Sequence, residues 1–353
     1  MITGILKEIK VAENRVSMTP AGVEAMVSRG HTLLVEKNAG IGSGFENGAY
    51  EAAGAEIVST PEEIYRRSEM VMHVKEPQPV EYPLIREAQI VFTYLHLAAE
   101  EQLTKALIER KSVNIAYETI QKADGTLPLL TPMSEVAGRM ATQEGAKYLE
   151  MTHGGRGVLL GGVPGVEPGT VIVIGGGVVG INAARMACGL GAKVYLLDTS
   201  LERLRYLSEV MPANCFPVMS SVPALRQLLP EADLVIGAVL IPGGQAPKLI
   251  SRDMLPLMKQ GAVLVDVAID QGGCFETSKP TTHTEPTYMV DGIVHYCVAN
   301  MPGAVAKTSA LALTNATLPY AIEIANKGWK QACRENPEIR LGANVVSGHV
   351  TYD

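Results

Sequence analysis

The sequence predicts an α/β protein made of two doubly wound domains. Three observations carry that prediction. Short β-branched runs alternate with helix-like segments along most of the chain, a pattern that gives parallel sheets covered by helices. The 353 residues exceed the roughly 100–200 of one domain. And the stretch Thr170 to Asp198, TVIVIGGGVVGINAARMACGLGAKVYLLD, runs as strand, glycine turn, helix, strand and acid.

That stretch is organised by Gly175, Gly177 and Gly180, in G-x-G-x-x-G spacing. Gly175 lets the chain turn off the strand, Gly177 lets a pyrophosphate approach the backbone, and Gly180 lets the helix pack close to the strand. The helix N-terminus then offers free N–H groups and the positive end of its dipole to phosphates. Asp198, 18 residues past Gly180, stands where a carboxylate accepts the adenine-ribose hydroxyls. The unit therefore reads as a Rossmann-type dinucleotide site. The alternative is an ordinary buried βα turn with no ligand. A 2′-phosphate about 4 Å from that acid would be repelled by about 4 kcal/mol at an effective dielectric of 20. This favours NAD over NADP, with Arg203 and Arg205 as the groups that would soften the penalty.

Composition narrows the class. Apolar residues make up 47% of the chain and aromatic ones 5%, so the core must be aliphatic. A net charge of -7, without basic tracts, argues against nucleic acid as a partner. No run reaches the roughly 20 clean apolar residues of a membrane span, and MITGILKEIK lacks a signal-peptide core. Cys188, Cys215, Cys274, Cys297 and Cys333 are odd in number and form no CxxC pair. Free thiols in a reducing cytoplasm are expected, with no disulfide framework and no metal site.

In chain order, strands are expected at Ile2–Leu6, Thr32–Glu36, Met70–Val74, Ile90–Thr93 and Ser112–Ala116. Helices are expected at Pro20–Arg29, near Ala49–Ala53, at Pro61–Arg67 and at Glu100–Arg110. Thr19 is a candidate N-cap before Pro20. A long helix over 134–151, with Ser134 near its start, and a glycine-rich stretch over 153–169 lead to the dinucleotide unit. Strands at Leu234–Ile236, Val263–Asp266 and Ile293–Tyr296, with helices between them, continue the second domain. The last segment, helical over Ala310–Asn326, is too short for a domain of its own and is expected to return to the first. The expected division is residues 1–129 plus 306–353 for substrate and catalysis and 130–305 for NAD, with ligands in an interdomain cleft.

Several segments carry a family resemblance across the whole chain. KEIKVAENRVSMTPAGV near the N-terminus resembles the first signature of the alanine dehydrogenase and pyridine-nucleotide transhydrogenase family. HVKEPQ, TYLHLA, IGGGVVG, VDVAIDQGG and VANMPGAVAKTSALALTN resemble its alanine dehydrogenase branch. Ala306 and Lys307 depart from the proline and arginine common there. The transhydrogenase relatives need membrane segments or partner subunits that supply them. The resemblance therefore implies a soluble enzyme interconverting L-alanine with pyruvate and ammonium, using NAD, and assembled as a homohexamer.

Oxidative deamination needs a carboxylate clamp, a hydride acceptor and a group that exchanges protons. Arg15, in the loop after the first strand, suits a two-pronged grip on a carboxylate, although most arginines are surface residues. Lys75 follows an apolar run and points into the ligand crevice, where the bland alternative is a snorkelling lysine. His96 follows another strand, and an imidazole titrates near neutrality. A lone histidine there is more often structural, but the resemblance places the family's catalytic histidine at His96 and its aspartate at Asp270. Asp266, earlier in the same strand, is the better candidate for a buried, hydrogen-bonded acid. Asn300 and Met301 precede Pro302-Gly303; the resemblance puts this loop against nicotinamide and substrate, although the sequence is also a good turn. It further implies cofactor contacts at Ser134, Val178, Val179, Arg203, Ser220, Val239, Leu240, Val267, Ala268, Ile269, Lys279 and Val298. Two alternatives stand beside this reading: another amino- or imino-acid dehydrogenase of the superfamily, and a non-catalytic NAD-binding regulator. One methylene in an apolar pocket discriminates by only about 1–3 kcal/mol, so 2-aminobutyrate, serine and glyoxylate remain open as side substrates.

Overall fold

The computed structural model describes residues 1–239 and 246–352. The chain divides into two compact units, Met1–Met133 with Gly303–Asp353, and Ser134–Pro302.

The first unit opens with β1 (Ile2–Ile5), α1 (Pro20–Val27), β2 (Thr32–Glu36), α2 (Asn47–Ala52), β3 (Glu56–Val58), α3 (Pro61–Arg67), β4 (Met70–Met72), β5 (Ile90–Thr93), α4 (Glu101–Arg110) and β6 (Val113–Ala116). Local chemistry sets the helix starts. Thr19 accepts a hydrogen bond from the Gly22 N–H, and Pro20 occupies the first turn, where its missing N–H costs nothing. β4 and β5 are buried along their whole length, as strands covered on both faces must be. Val71 of β4 and Val91 of β5 share one apolar cluster with Ile64 of α3 and with Leu103 and Leu107 of α4.

The second unit begins in α5 (Thr131–Tyr148) and contains β7 (Thr170–Ile174), α6 (Val178–Gly189), β8 (Lys193–Asp198), α7 (Leu201–Val210), β9 (Cys215–Met219), α8 (Val222–Leu228), β10 (Leu234–Gly237), β11 (Val263–Asp266), β12 (Thr287–Val290) and β13 (Ile293–Tyr296). The chain then returns to the first unit with α9 (Ala306–Lys327), α10 (Trp329–Glu335), α11 (Pro337–Gly342), β14 (Ala343–Val346) and β15 (His349–Val350).

Among the described residues each unit has one sheet, ordered β15-β14-β6-β5-β4-β1-β2-β3 in the first and β12-β13-β11-β10-β7-β8-β9 in the second. In both, the strand order reverses beside the first strand of the unit. β1 lies between β2 and β4, and β7 between β8 and β10. The C-terminal ends of strands at such a reversal are where open α/β sheets bind ligands.

The structure departs from the sequence expectation in four places. Among the described residues, β10 and β11 are joined through a 3-10 segment, Arg252–Leu257, and β11 and β13 through a 3-10 turn, Ile269–Gln271, and β12, where helices were expected. The long helix begins at Thr131 and ends at Tyr148, with Ser134 inside it, and a 3-10 turn closed by Gly154 at φ 86° follows. α9 starts at Ala306, ahead of the expected Ala310, since the residues before Ala310 show no apolar periodicity from which a helix could be read. Both sheets also end in antiparallel strands, β12 on β13 and β14 on β6, where the expectation was wholly parallel.

In the second unit, a Cβ added at Gly180 would lie 1.7 Å from the Gly175 carbonyl oxygen. We expect Gly180→Ala to lower the unit's stability by about 1–3 kcal/mol through overpacking, read as a shift in the urea midpoint at unchanged slope.

Candidate functional site

The glycine turn is built as the spacing requires. Gly175 has φ 106°, and a Cβ there would stand 2.7 Å from the Ala238 carbonyl oxygen. Gly177 is the N-cap of α6 and exposed, with no side-chain cap and no atom within 4 Å of an added Cβ. The first-turn N–H groups of α6 have no partner within the helix, and Val178 is exposed beside them. Open backbone at a helix N-terminus fits a pyrophosphate.

Asp198 does more than present a carboxylate. Its Oδ2 accepts from the Gly176 N–H at 2.9 Å and its Oδ1 from the Ser200 N–H at 2.8 Å, so it fastens the glycine turn to the next helix. Arg203 joins the same knot, donating from Nε to the Gly176 carbonyl at 2.6 Å and lying 5.0 Å over the Tyr206 ring. Ser220 donates its N–H to the Asp198 carbonyl at 2.8 Å. The half-buried Ser134 lies on α5. Four residues further along that helix, a Cβ at Gly138 would meet the Val179 carbonyl oxygen at 2.3 Å. That close helix contact, reinforced by Thr142 donating to the Ala183 carbonyl at 2.8 Å, was not foreseen from sequence. Val239 is half-buried next to Gly175, while Leu240 lies outside the described residues.

The loop after β11 is tied to Asp266, which is fully buried. Its carboxylate accepts from the N–H groups of Ala268 at 3.0 Å, Cys274 at 2.9 Å and Phe275 at 3.3 Å, and from the Ser278 hydroxyl. Lys248 adds bonds from Nζ to the Gly272 and Gly273 carbonyls at 2.5 and 2.8 Å. Held this way, the loop buries Ala268 and Ile269, leaves Val267 half-buried and exposes Asp270. Lys279 is exposed, and its N–H donates to the Tyr288 hydroxyl at 2.7 Å. Val298 and Met301 are buried. Asn300 sits at φ 58°, with its carbonyl accepting from the His283 ring at 3.1 Å.

In the first unit, Arg15 is buried, and Nε and Nη2 both donate to Glu13, at 2.7 Å from Nε; Nη1 lies 3.1 Å from the Met133 sulfur. Burial opposes the guanidinium charge, but Glu13 outweighs it and holds the Arg15 pKa above its usual value. Lys75 donates its N–H to Glu8 at 3.1 Å and accepts from the Thr93 hydroxyl at 3.0 Å. His96 is at φ 51°. Glu118 accepts its N–H at 2.6 Å and that of Leu95 at 2.9 Å, and its Nδ1 lies 3.0 Å from Glu76. Its side chain is 40% exposed and Glu76's 4%. Glu76 also binds Lys10. Burial pushes the Glu76 carboxyl up, but His96 and Lys10 outweigh it and bring it to about 2.

Glu8, Glu13, Glu76 and Glu118 were not singled out from the sequence. Their signal was adjacency: Glu13 and Glu76 stand beside the candidate cations Arg15 and Lys75. His73 was likewise passed over. It is buried, with Nδ1 3.3 Å from Glu8, Nε2 3.4 Å from Glu81 and 3.0 Å from the Tyr65 hydroxyl. Among the described residues, no group of three or more His, Cys, Asp or Glu could hold a metal ion. No helix there is long and apolar enough to cross a membrane.

Fold and site together define a two-unit α/β protein of the Rossmann-like class, with a buried guanidinium paired to Glu13 and an exposed imidazole paired to Glu76 in the first unit. The family profiles described as alanine dehydrogenase/PNT match it at both ends, the N-terminal domain over residues 4–137 and the C-terminal domain over 141–353. An alanine dehydrogenase of Methanococcus maripaludis is 56% identical, covering 100% of this chain and 95% of the relative. One from Halomonas elongata is 56% identical with the same coverage. Among solved structures, an L-alanine dehydrogenase superposes with a TM-score of 0.97 at 49% identity, over 100% of this chain and 97% of that one. A Sinorhizobium meliloti transhydrogenase, 23% identical with a TM-score of 0.86 over 100% and 99% of the two chains, shares the fold. The chain belongs to the alanine dehydrogenase/PNT family.

The His73 cluster predicts a pH dependence of stability. Burial alone would lower its pKa, but Glu81, Glu8 and Glu36 outweigh burial and raise it from 6.5 to about 9. Tyr65, the other group facing the ring, is itself raised well above its usual value, chiefly by burial. A raised histidine contributes stability that is fully present below pH 6.5 and lost as pH climbs through about 9. The loss amounts to about 3 kcal/mol at 1.36 kcal/mol per unit. Urea unfolding across that window should show it in the native protein, and His73→Asn should flatten the slope.

Proposed function

We propose that the chain is an NAD-dependent L-alanine dehydrogenase, converting L-alanine and water to pyruvate and ammonium and running the reverse amination. The observation that carries this reading is His96, an exposed imidazole with Nδ1 tied to a buried carboxylate, in a chain 56% identical along its length to alanine dehydrogenases.

When bound, NAD supplies the nicotinamide that accepts the hydride from Cα of alanine. The chain's own residues do the rest. The open N-terminus of α6 at Gly177 receives the pyrophosphate, and Asp198 holds the turn and meets the ribose. Arg15 grips the substrate carboxylate, its guanidinium oriented and kept charged by Glu13. Lys75, its backbone fixed by Glu8, adds positive charge at the carboxylate or carbonyl end. Loss of the hydride from Cα and of a proton from the substrate ammonium, taken by His96, leaves iminopyruvate; His96 and Asp270 manage the water that attacks it and the proton returned to ammonia. Asn300 and Met301 border the nicotinamide. Residues 1–129 with 306–353 serve the substrate, and 130–305 the cofactor. Five buried free thiols support a cytoplasmic location, and the family resemblance supports a homohexamer, which light scattering would measure.

NADH absorbance should fall when pyruvate and ammonium are both present and hold steady with pyruvate alone. Consumption without ammonium would point to simple ketoacid reduction, and none with both to a non-catalytic binder. His96→Gln should lose about 10²–10⁴-fold in kcat while NADH still binds. Gly177→Ala tests the cofactor cradle: its Cβ enters open space at φ -73°, so the fold should hold while NADH affinity drops at least about tenfold as the pyrophosphate is pushed off the backbone. An unchanged affinity would move the cofactor elsewhere.

A further inference from the structure

We propose that Glu76 is a positioning residue for His96, holding the imidazole with its proton on Nδ1 so that Nε2 is the atom that gives and takes protons. This rests on reading His96 as the acid–base group.

Two restraints set the imidazole. Glu118 takes the main-chain N–H of His96 at 2.6 Å and that of Leu95 at 2.9 Å, fixing the backbone in its left-handed conformation at φ 51°. Glu76 takes Nδ1 at 3.0 Å. With position and ring direction both set, Nε2 has no hydrogen-bond partner among the described residues, on a side chain 40% exposed. A carboxylate that stays ionised can only accept, so Nδ1 must carry a proton in the neutral ring, leaving the lone pair on Nε2. Glu76 does stay ionised, since its carboxyl titrates at about 2.

The pair also acts on charge. When Nε2 takes a proton, the imidazolium forms against a buried carboxylate and is stabilised by it. Lys10 works the other way. It binds Oε1 of the same carboxylate while His96 binds Oε2, and so draws off part of the negative charge the ring feels. Among the described residues, Tyr94, whose ring stacks at 6.0 Å from the imidazole, and Glu118, whose carboxylate faces the main chain, also lie against His96.

Glu76→Gln and Lys10→Gln should therefore move the pH profile in opposite directions. The informative limb is the one in kcat against pH that His96→Gln abolishes. Glu76→Gln should lower kcat for amination by about 10²-fold or more, leave the KM for pyruvate within about threefold, and shift that limb to lower pH. Glu76→Asp should recover part of the rate. Lys10→Gln should shift the limb to higher pH, and NADH affinity should be unchanged in all three variants. A Glu76→Gln enzyme with kcat within twofold and an unmoved limb overturns the proposal, as does a Lys10→Gln shift in the same direction as Glu76→Gln. Should Glu76→Gln fail to fold, the sign of the Lys10→Gln shift still decides. If His96→Gln retains turnover, the acid–base reading of His96 falls and the proposal with it. If His96→Gln is inactive and Glu76→Gln behaves as the native enzyme, the proposal alone falls.

Discussion

The structure depends on carboxylates that accept main-chain N–H groups where parallel strands end. A chain leaving a sheet loses its ladder partners, and a buried N–H without an acceptor costs about 1–3 kcal/mol. Here four acids supply the acceptors. Glu8 serves Val74 and Lys75 beyond β4, and Glu118 serves Leu95 and His96 beyond β5. Asp198 serves Gly176 beyond β7, and Asp266 serves Ala268, Cys274 and Phe275 beyond β11. Every loop so fixed carries a residue proposed for the reaction, so the fold's solution to unpaired backbone also orients the site.

The same device explains how His96 tolerates its backbone. A left-handed conformation at a non-glycine residue is sparsely populated and persists where surrounding contacts over-determine it. At His96 the contacts are two carboxylates, one on the N–H and one on the ring. Removing either would let the chain relax and the imidazole swing. Asn300, at φ 58° with its carbonyl bound by His283, is a second case.

Much of the frame was legible in the sequence. Glycine spacing, a β-branched run and an acid at a set distance are local signals, and β7, α6 and β8 follow them residue by residue. The strand-end residues were also readable as candidates, because a charge after an apolar run is conspicuous. What did not show was which acids would be buried. Glu8, Glu13 and Glu76 sit among charged neighbours and look like solvated surface; only tertiary packing turns them into anchors. Edge strands β12, β14 and β15 were missed for a related reason. Short, partly exposed edge segments carry little apolar pattern, and their pairing is decided by the neighbouring strand. The start of α5 was displaced because Ser134 resembles an N-cap, while the helix is already under way from Thr131.

Anchoring by acids also constrains how an anionic substrate is attracted. Arg15 and Glu13 form a buried pair with no net charge between them. Such a pair draws a distant anion little, but it presents guanidinium donors in a fixed direction, and breaking it would leave an uncompensated buried charge. The attraction must then come mainly from other cations, with Lys75 the proposed one. On this view direction and charge are divided between the two residues. A lysine in place of Arg15 would keep the charge yet lose the planar fork that meets Glu13 through two nitrogens, and with it the orientation. The acids that crowd the strand ends are thus compatible with binding a carboxylate because each is already matched, Glu13 by a guanidinium, Glu76 by Lys10 and His96, Glu8 by His73 and main-chain N–H groups.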